Sequence, residues 1–157
     1  MDSDTKLYLE RAQNELKLAE IVMQLSINQE LQSNIPEISK PDTFFSSVIS
    51  HSYYSIFYTA KAYLIMKGIT TKPPEEHKKT YEKFKRLVSQ GIVDEELLRL
   101  YEDVLIRAEK LLGIFKIEKK KRGEFTYQRI AQANLEPARE SLENAKTFHK
   151  HIYDLCV

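Results

Sequence analysis

Two short segments combine dense positive charge with aromatic rings, and their residue types suit the binding of phosphate and bases. Residues 116–122 carry five basic side chains and one acidic side chain, a net charge of +4, and Phe125 and Tyr127 follow closely. Residues 78–86 have the same charge count, with Tyr81 and Phe84 among them. Basic side chains contact phosphates, and aromatic rings stack on bases. Either segment suits a nucleotide or single-stranded RNA; the alternative is a solvated helix end beside core aromatics.

The four histidines raise the separate question of proton transfer or metal binding. His77 shares a helical stripe with Tyr81 and Phe84, and His149 lies on a similar stripe near the end of the chain, so both could be core histidines. A di-iron bundle needs an acidic residue three positions before a histidine. The chain has a single cysteine, Cys156, so zinc-finger spacing is also absent, and we predict no metal site. None of the residues three positions before the four histidines is acidic: they are Val48, Pro74, Lys146 and Phe148.

Other common catalytic motifs are absent from the sequence. There is no glycine-rich phosphate loop and no GxSxG motif, so P-loop and acyl-transfer chemistry lack support. The sequence also gives no reason to expect a cofactor. Any function must therefore depend on the basic, aromatic and histidine side chains and on the elements that position them.

Those elements are predicted to be five amphipathic helices. Apolar residues recur at three- and four-residue spacing, and no segment alternates with the period of a strand. Asn28–Asp42 reads as a surface loop, and Phe125–Ala133 reads as a connector. The pattern predicts an all-α, antiparallel up-and-down bundle. The first helix carries an apolar stripe, and Asp94 is the predicted N-cap of the fourth. The stripe consists of Leu9, Ala12, Leu16, Ala19 and Met23. The predicted helices run over about 4–27, 43–67, 75–90, 94 to the basic run at 119–123, and 134 to beyond 152.

The second predicted helix is apolar almost all round. Of residues 44–66, 15 of 23 are apolar or aromatic. Such a helix is central in a fold or shared with a partner subunit. We therefore predict a homodimer.

Length and composition indicate one domain over residues 1–157. The chain has 157 residues, of which 42% are hydrophobic and 30% charged, which is typical of a globular protein. The net charge of +1 excludes nucleic-acid binding by bulk charge, so a local patch is required. The single cysteine, the acidic beginning of the sequence and the lack of a long apolar run favour a reducing, cytoplasmic location without a membrane span.

The second predicted helix and the residues after it carry a resemblance. Residues 51–62 read HSYYSIFYTAKA, and Leu64, residues 67–69 (KGI) and His77 follow. Further along, Arg122 and Tyr127 have Arg-x4-Tyr spacing before an alanine-rich helix. In this order the segments resemble the HEPN domain family (higher eukaryotes and prokaryotes nucleotide-binding), over nearly the whole chain except the loop at 28–42.

The resemblance implies an all-α bundle that forms homodimers. Many HEPN domains are metal-independent ribonucleases that use an Arg-x4-6-His motif at the dimer cleft. Others lack that motif and act as RNA-binding or scaffolding modules. Small members often pair with a minimal nucleotidyltransferase in toxin–antitoxin-like operons.

This sequence departs from the ribonuclease motif. No arginine lies five to seven residues before any histidine, and Tyr127 stands where the family's histidine would be. A tyrosine, with a pKa near 10, is a poor general base at neutral pH. Arg122 can still hold a phosphate with its planar fork. Tyr127 would contact that phosphate, stack on a base, accept a nucleotidyl group or simply anchor the connector.

Three functions follow from these observations. The first is a homodimer that binds a nucleotide or RNA phosphate, with Arg122 as the anion clamp, Tyr127 beside it and His77 as a polar contact. The second is a metal-independent ribonuclease, a toxin, in which His77 replaces the missing histidine. The third is a pure interaction module paired with a nucleotidyltransferase. In the first, the surrounding positive field comes from Lys119, Lys120 and Lys121.

Overall fold

The computed structural model describes residues 1–38, 42–117 and 134–157. Helices make up 77% of these residues, and no strand occurs among them, which confirms the all-α prediction. None of the helices in these ranges is long and apolar enough to cross a membrane. The helices are α1 (Ser3–Ile27), α2 (Gln29–Ser33), α3 (Phe45–Met66), α4 (Glu76–Ser89), α5 (Glu95–Leu112) and α6 (Leu135–Cys156).

Helix α3 lies at the centre of the bundle. It contacts α1, α4, α5 and α6, and 13 of its 22 residues are buried. Tyr53, Ile56 and Leu64 are fully shielded from solvent. Each large apolar side chain buried in this way contributes about 1.5–3 kcal/mol. Of the two alternatives for this helix, a central position in the fold and a surface shared with a partner subunit, the structure shows the central position. Its apolar surface is also covered within one chain, so that surface no longer argues for a homodimer.

Helices α1 and α3 run antiparallel. Tyr8 packs on Tyr58, and Glu15 pairs with His51, so rising numbers along α1 meet falling numbers along α3. The predicted apolar stripe of α1 is buried and includes two alanines. Small residues let the two helix axes approach closely. The buried apolar residues of the stripe are Leu9, Ala12, Leu16, Ala19 and Met23.

The predicted loop at 28–42 contains a short helix. Asn28 accepts a hydrogen bond from the Leu31 backbone N–H at 3.1 Å and so begins α2. The buried side chain of Gln32 donates to the carbonyl oxygens of Leu25 and Asp42 and accepts from the Asp42 N–H at 2.9 Å. The loop prediction was wrong here, because a buried amide rather than an apolar stripe orders the segment.

The fourth predicted helix ends earlier than its apolar spacing indicates. Helix α5 begins at its predicted cap, where Asp94 accepts from the Glu96 N–H at 2.8 Å. It ends at Leu112, and Gly113 adopts φ 60°, the left-handed conformation of a helix C-cap. The prediction that this helix continues past Phe115 was wrong. Phe115 instead packs on the core from a non-helical segment.

Candidate functional site

Among the predicted site residues, His77 is the one that the described part of the chain includes. Lys119, Lys120, Lys121, Arg122 and Tyr127 lie outside the described residues, as does the predicted connector at 125–133. The site can therefore be built outward from His77.

Helix α4 places His77 in its first turn, against α3. The imidazole stacks on Phe57, with 4.0 Å between ring centroids, and meets the edge of Tyr54 at 6.0 Å. Its Nδ1 lies 2.8 Å from the hydroxyl of Tyr53. Tyr53 and Phe57 are four residues apart and so share one face of α3. Both the ring plane and one nitrogen of His77 are thereby fixed.

The electrostatics of this contact determine the protonation of His77. Burial lowers the pKa of His77, and the positive charge of Lys61 lowers it further. Burial raises the pKa of Tyr53, so this residue stays a neutral phenol. The phenol has no other acceptor among the described residues, so its O–H donates to Nδ1 and the imidazole carries its proton on Nε2. His77 is a positioned, neutral histidine at neutral pH.

Lys61 brings a nearly buried positive charge to the same cluster. The residue is 6% exposed, and its Nζ donates to the carbonyl of Thr71 at 3.0 Å and pairs with the carboxylate of Glu76. The ammonium also lies 5.1 Å from the ring centroid of Tyr8. Burial lowers the pKa of Lys61, and the Arg11 guanidinium lowers it further. The charge is retained because several groups replace the lost water.

Three half-buried tyrosines extend from this cluster along the α1–α3 surface, and we call Tyr8, Tyr58 and Tyr54 the tyrosine ladder. Tyr8 stacks on Tyr58 at 6.0 Å between centroids, and Tyr58 stacks on Tyr54 at 6.4 Å. The exposed Arg11 guanidinium lies 5.4 Å from the Tyr8 centroid and 5.9 Å from the Tyr58 centroid. Arg11 is exposed and makes no ion pair with any described residue.

A contact between a histidine and a carboxylate lies further along the same helix pair. The Nδ1 of His51 lies 2.6 Å from a carboxylate oxygen of Glu15, and both side chains are partly exposed. Glu15 also helps to raise the pKa of Tyr58, although burial is the larger cause. The ladder therefore has Arg11 and Lys61 near Tyr8 and an acidic residue further along α1.

The second basic segment, at 78–86, presents no free rings. Tyr81 and Phe84 are buried in the core, and the Tyr81 hydroxyl donates to Glu102 at 2.6 Å. The alternative of core aromatics beside a charged surface is correct for this segment. Within residues 1–38, 42–117 and 134–157, no three His, Cys, Asp or Glu side chains group as metal ligands would.

The sequence did not reveal the α1 half of the site. Tyr8 and Arg11 stand three residues apart beside the buried stripe of α1, which is a weak signal. Their neighbours on α3 follow only from the register of the antiparallel pair. The tyrosines of α3 were part of the quoted motif, but nothing in the sequence showed that a ring from α1 stacks on them.

The arrangement offers stacking faces, an exposed guanidinium and a neutral histidine within one surface region. Aromatic faces accept bases of any sequence, and a guanidinium binds phosphate with two parallel hydrogen bonds. Comparison of the chain with protein-family models, with curated proteins and with solved structures finds no match.

Proposed function

We propose that the chain binds a nucleotide or the phosphates of single-stranded RNA. The observation that carries this proposal is the tyrosine ladder with the exposed Arg11 across two of its rings. A base would stack on the ladder, and its phosphate would bind Arg11. The predicted clamp formed by Arg122 and Tyr127, with Lys119, Lys120 and Lys121, would add further phosphate contacts.

Binding to a labelled single-stranded RNA of about twelve nucleotides tests the proposal. We expect fluorescence anisotropy to show binding that weakens as salt rises, because phosphate contacts release counterions. Tyr58→Leu should weaken binding about tenfold, since one stacked base contributes roughly 1–3 kcal/mol. Tyr153→Leu is the matched control, because Tyr153 is an exposed tyrosine outside the ladder. RNA and nucleotides that fail to bind, or equal loss in both variants, would contradict the proposal.

A metal-independent ribonuclease is the second candidate function. The observation in its favour is the neutral, oriented His77, whose Nε2–H would donate a hydrogen bond to the reacting phosphate while Tyr53 occupies Nδ1. RNA incubated with the protein in EDTA should then be cleaved, and His77→Gln and Arg122→Ala should each abolish cleavage. His151→Gln, at an exposed histidine, is the control. Binding without cleavage would favour the first function.

The homodimer remains part of the proposal, now with a different surface in support. Leu7, Leu18 and Ile21 are exposed on the face of α1 opposite its buried stripe, and Ile21 is 56% exposed. An apolar helix face of this kind suits a second copy of the chain. Light scattering should show a dimer that Ile21→Glu converts to a monomer. A wild-type monomer at micromolar concentration would contradict it.

A HEPN-like role beside a nucleotidyltransferase, in a toxin–antitoxin-like system, is the remaining part of the proposal. It depends on the sequence resemblance alone. Co-purification with a nucleotidyltransferase encoded next to this protein, together with no affinity for RNA or nucleotides, would favour the interaction module over the first two functions.

A further inference from the structure

A groove between α1 and α6 lies on the other side of α1 from the tyrosine ladder. It has a volume of about 740 Å³, and Leu9 and Leu16 form part of its lining. These two leucines are almost fully buried, so they make an apolar floor. Sites for small molecules are typically clefts of about 300–1,000 Å³ with a mostly apolar lining and a few polar groups.

The polar group at the bottom of the groove is His149. This residue is 7% exposed and lines the groove. Its Nδ1 lies 2.9 Å from the hydroxyl oxygen of Thr59, in the buried interface between α6 and α3. Burial lowers the pKa of His149, which is therefore neutral at neutral pH.

The Thr59 hydroxyl fixes the tautomer of His149. A buried O–H group needs an acceptor, and Nδ1 is the acceptor that the described structure provides. Thr59 therefore donates to Nδ1, and the imidazole carries its own proton on Nε2. Nε2 has no hydrogen-bond partner in residues 1–38, 42–117 and 134–157. It is also not one of the fully buried polar atoms that lack a partner, so it keeps some contact with solvent. The groove thus contains an N–H donor that is open to a ligand.

The charges around the groove favour an anion. Lys6, Lys146 and Lys150 line it together with Glu10 and Glu20. Lys146 pairs with Glu20 at 2.7 Å. The other charged residues of the lining are Lys6, Lys150 and Glu10, and their charges sum to +1. Lys6 and Lys150 are exposed and line the groove, so they place positive charge beside it.

We propose that this groove binds a small amphipathic carboxylate. The apolar body lies over Leu9 and Leu16, the carboxylate accepts a hydrogen bond from Nε2 of His149, and Lys6 and Lys150 supply the attraction. The proposal is independent of the RNA-binding function, because it uses the opposite side of α1 and none of the ladder residues.

Titration of the ¹⁵N-labelled protein with octanoate tests the proposal. We expect amide shifts concentrated on residues that line the groove, with saturation below about 10 mM, and binding of octanol, the uncharged analogue, at least about fivefold weaker. A long-range ¹H–¹⁵N spectrum should show His149 as the Nε2–H tautomer, with its Nε2 signal moving as octanoate is added.

Two variants separate the groove from non-specific binding. Lys150→Gln should weaken octanoate about threefold to fivefold and leave octanol unchanged, because it removes only a charge. Gln13→Trp, at an exposed groove residue, should abolish binding of both probes by filling the space. Lys17→Gln is the matched control, since this exposed lysine of α1 does not line the groove.

Several results would overturn the proposal. No saturation by 10 mM octanoate, shifts scattered over the surface, equal affinity for octanol, or an Nδ1–H tautomer at His149 would each contradict it. Equal loss of octanoate affinity in Lys150→Gln and Lys17→Gln would also contradict it, because the effect would then be one of overall charge.

Discussion

The bundle holds two neutral histidines on opposite sides of α1, and each is fixed by a hydroxyl of α3. Tyr53 holds His77 at 2.8 Å, and Thr59 holds His149 at 2.9 Å. The half-buried His77 lies among aromatic rings near the Lys61 ammonium, whereas the nearly buried His149 lines a groove that charged side chains also line. Both histidines thus have the same hydroxyl–Nδ1 hydrogen bond in different surroundings. The difference in the ligands they suit must therefore come from the neighbouring residues.

Among the variants considered for the two histidine environments, removal of the Lys61 charge should lower the free energy of unfolding most. Lys61→Met leaves Glu76 and the Thr71 carbonyl without their partner, and we expect a loss of roughly 2–3 kcal/mol in the free energy of unfolding. Urea denaturation measures the loss. Arg139→Met breaks an exposed pair with Glu136 and should cost under about 1 kcal/mol. Similar losses in the two variants would show that the charge near His77 has no special structural role.

Removal of each hydroxyl compares the two histidines directly. Thr59→Val leaves Nδ1 of the nearly buried His149 unsatisfied, and Tyr53→Phe does the same to the more exposed His77. We expect roughly 1–3 kcal/mol for Thr59→Val and a smaller loss for Tyr53→Phe, because water can reach His77 more easily. Thermal or urea unfolding measures both. The reverse order would contradict the assignment of His149 as the more enclosed ring.

The depressed pKa values of both histidines predict a loss of stability in acid. Below the ordinary histidine value of about 6.5, the unfolded chain takes up protons that the folded chain refuses, so stability is complete above that pH and falls below it. Each histidine contributes a slope of at most about 1.4 kcal/mol per pH unit. The measurement is urea unfolding at about pH 7.5 and about pH 5.5.

Single variants assign that acid sensitivity to its sources. His149→Phe should reduce the difference in stability between the two pH values, and so should His77→Phe. His151→Gln, at an exposed histidine, should leave the difference as it is in the wild type. An unchanged difference in both phenylalanine variants would assign the acid sensitivity to other groups.

The smallest effect on stability is expected at Arg11. Arg11→Gln removes two exposed cation–π contacts, and we expect a change of about 0.5–1 kcal/mol or less in the free energy of unfolding. The same variant should weaken RNA binding several-fold and leave octanoate binding unchanged. Loss of octanoate affinity would show that the two sides of α1 are coupled.

Most of the fold followed from the sequence because apolar spacing and helix caps report on local packing. The stripe of α1 and the cap at Asp94 were both predicted correctly. Helix α2 was missed because it is short and polar, and the hydrogen bonds of Gln32 order it. The end of α5 was predicted too late, because Phe115 continues the apolar spacing of Leu111. The spacing does not show that the helix already ends at the C-cap residue Gly113.

Less of the candidate site could be predicted. His77 was singled out from its stripe, but its partner Tyr53 became clear only from the packing of α4 on α3. Arg11 could not be predicted as a site residue, because an exposed arginine on a helix is distinguished only by the side chains that the fold places beside it. The remaining predicted site residues, at 119–122 and 127, lie outside the described residues and stay predictions.

The ion pair between Lys146 and Glu20 has a consequence for the size of any occupant of the α1–α6 groove. Both residues also line a second compartment of about 510 Å³, further along the same two helices. A molecule that reaches from one compartment into the other would pass beside this ion pair, which lines both. If it separates the two charges it loses their attraction, so we expect the groove to prefer chains short enough to stay on one side, and high salt to reduce that preference.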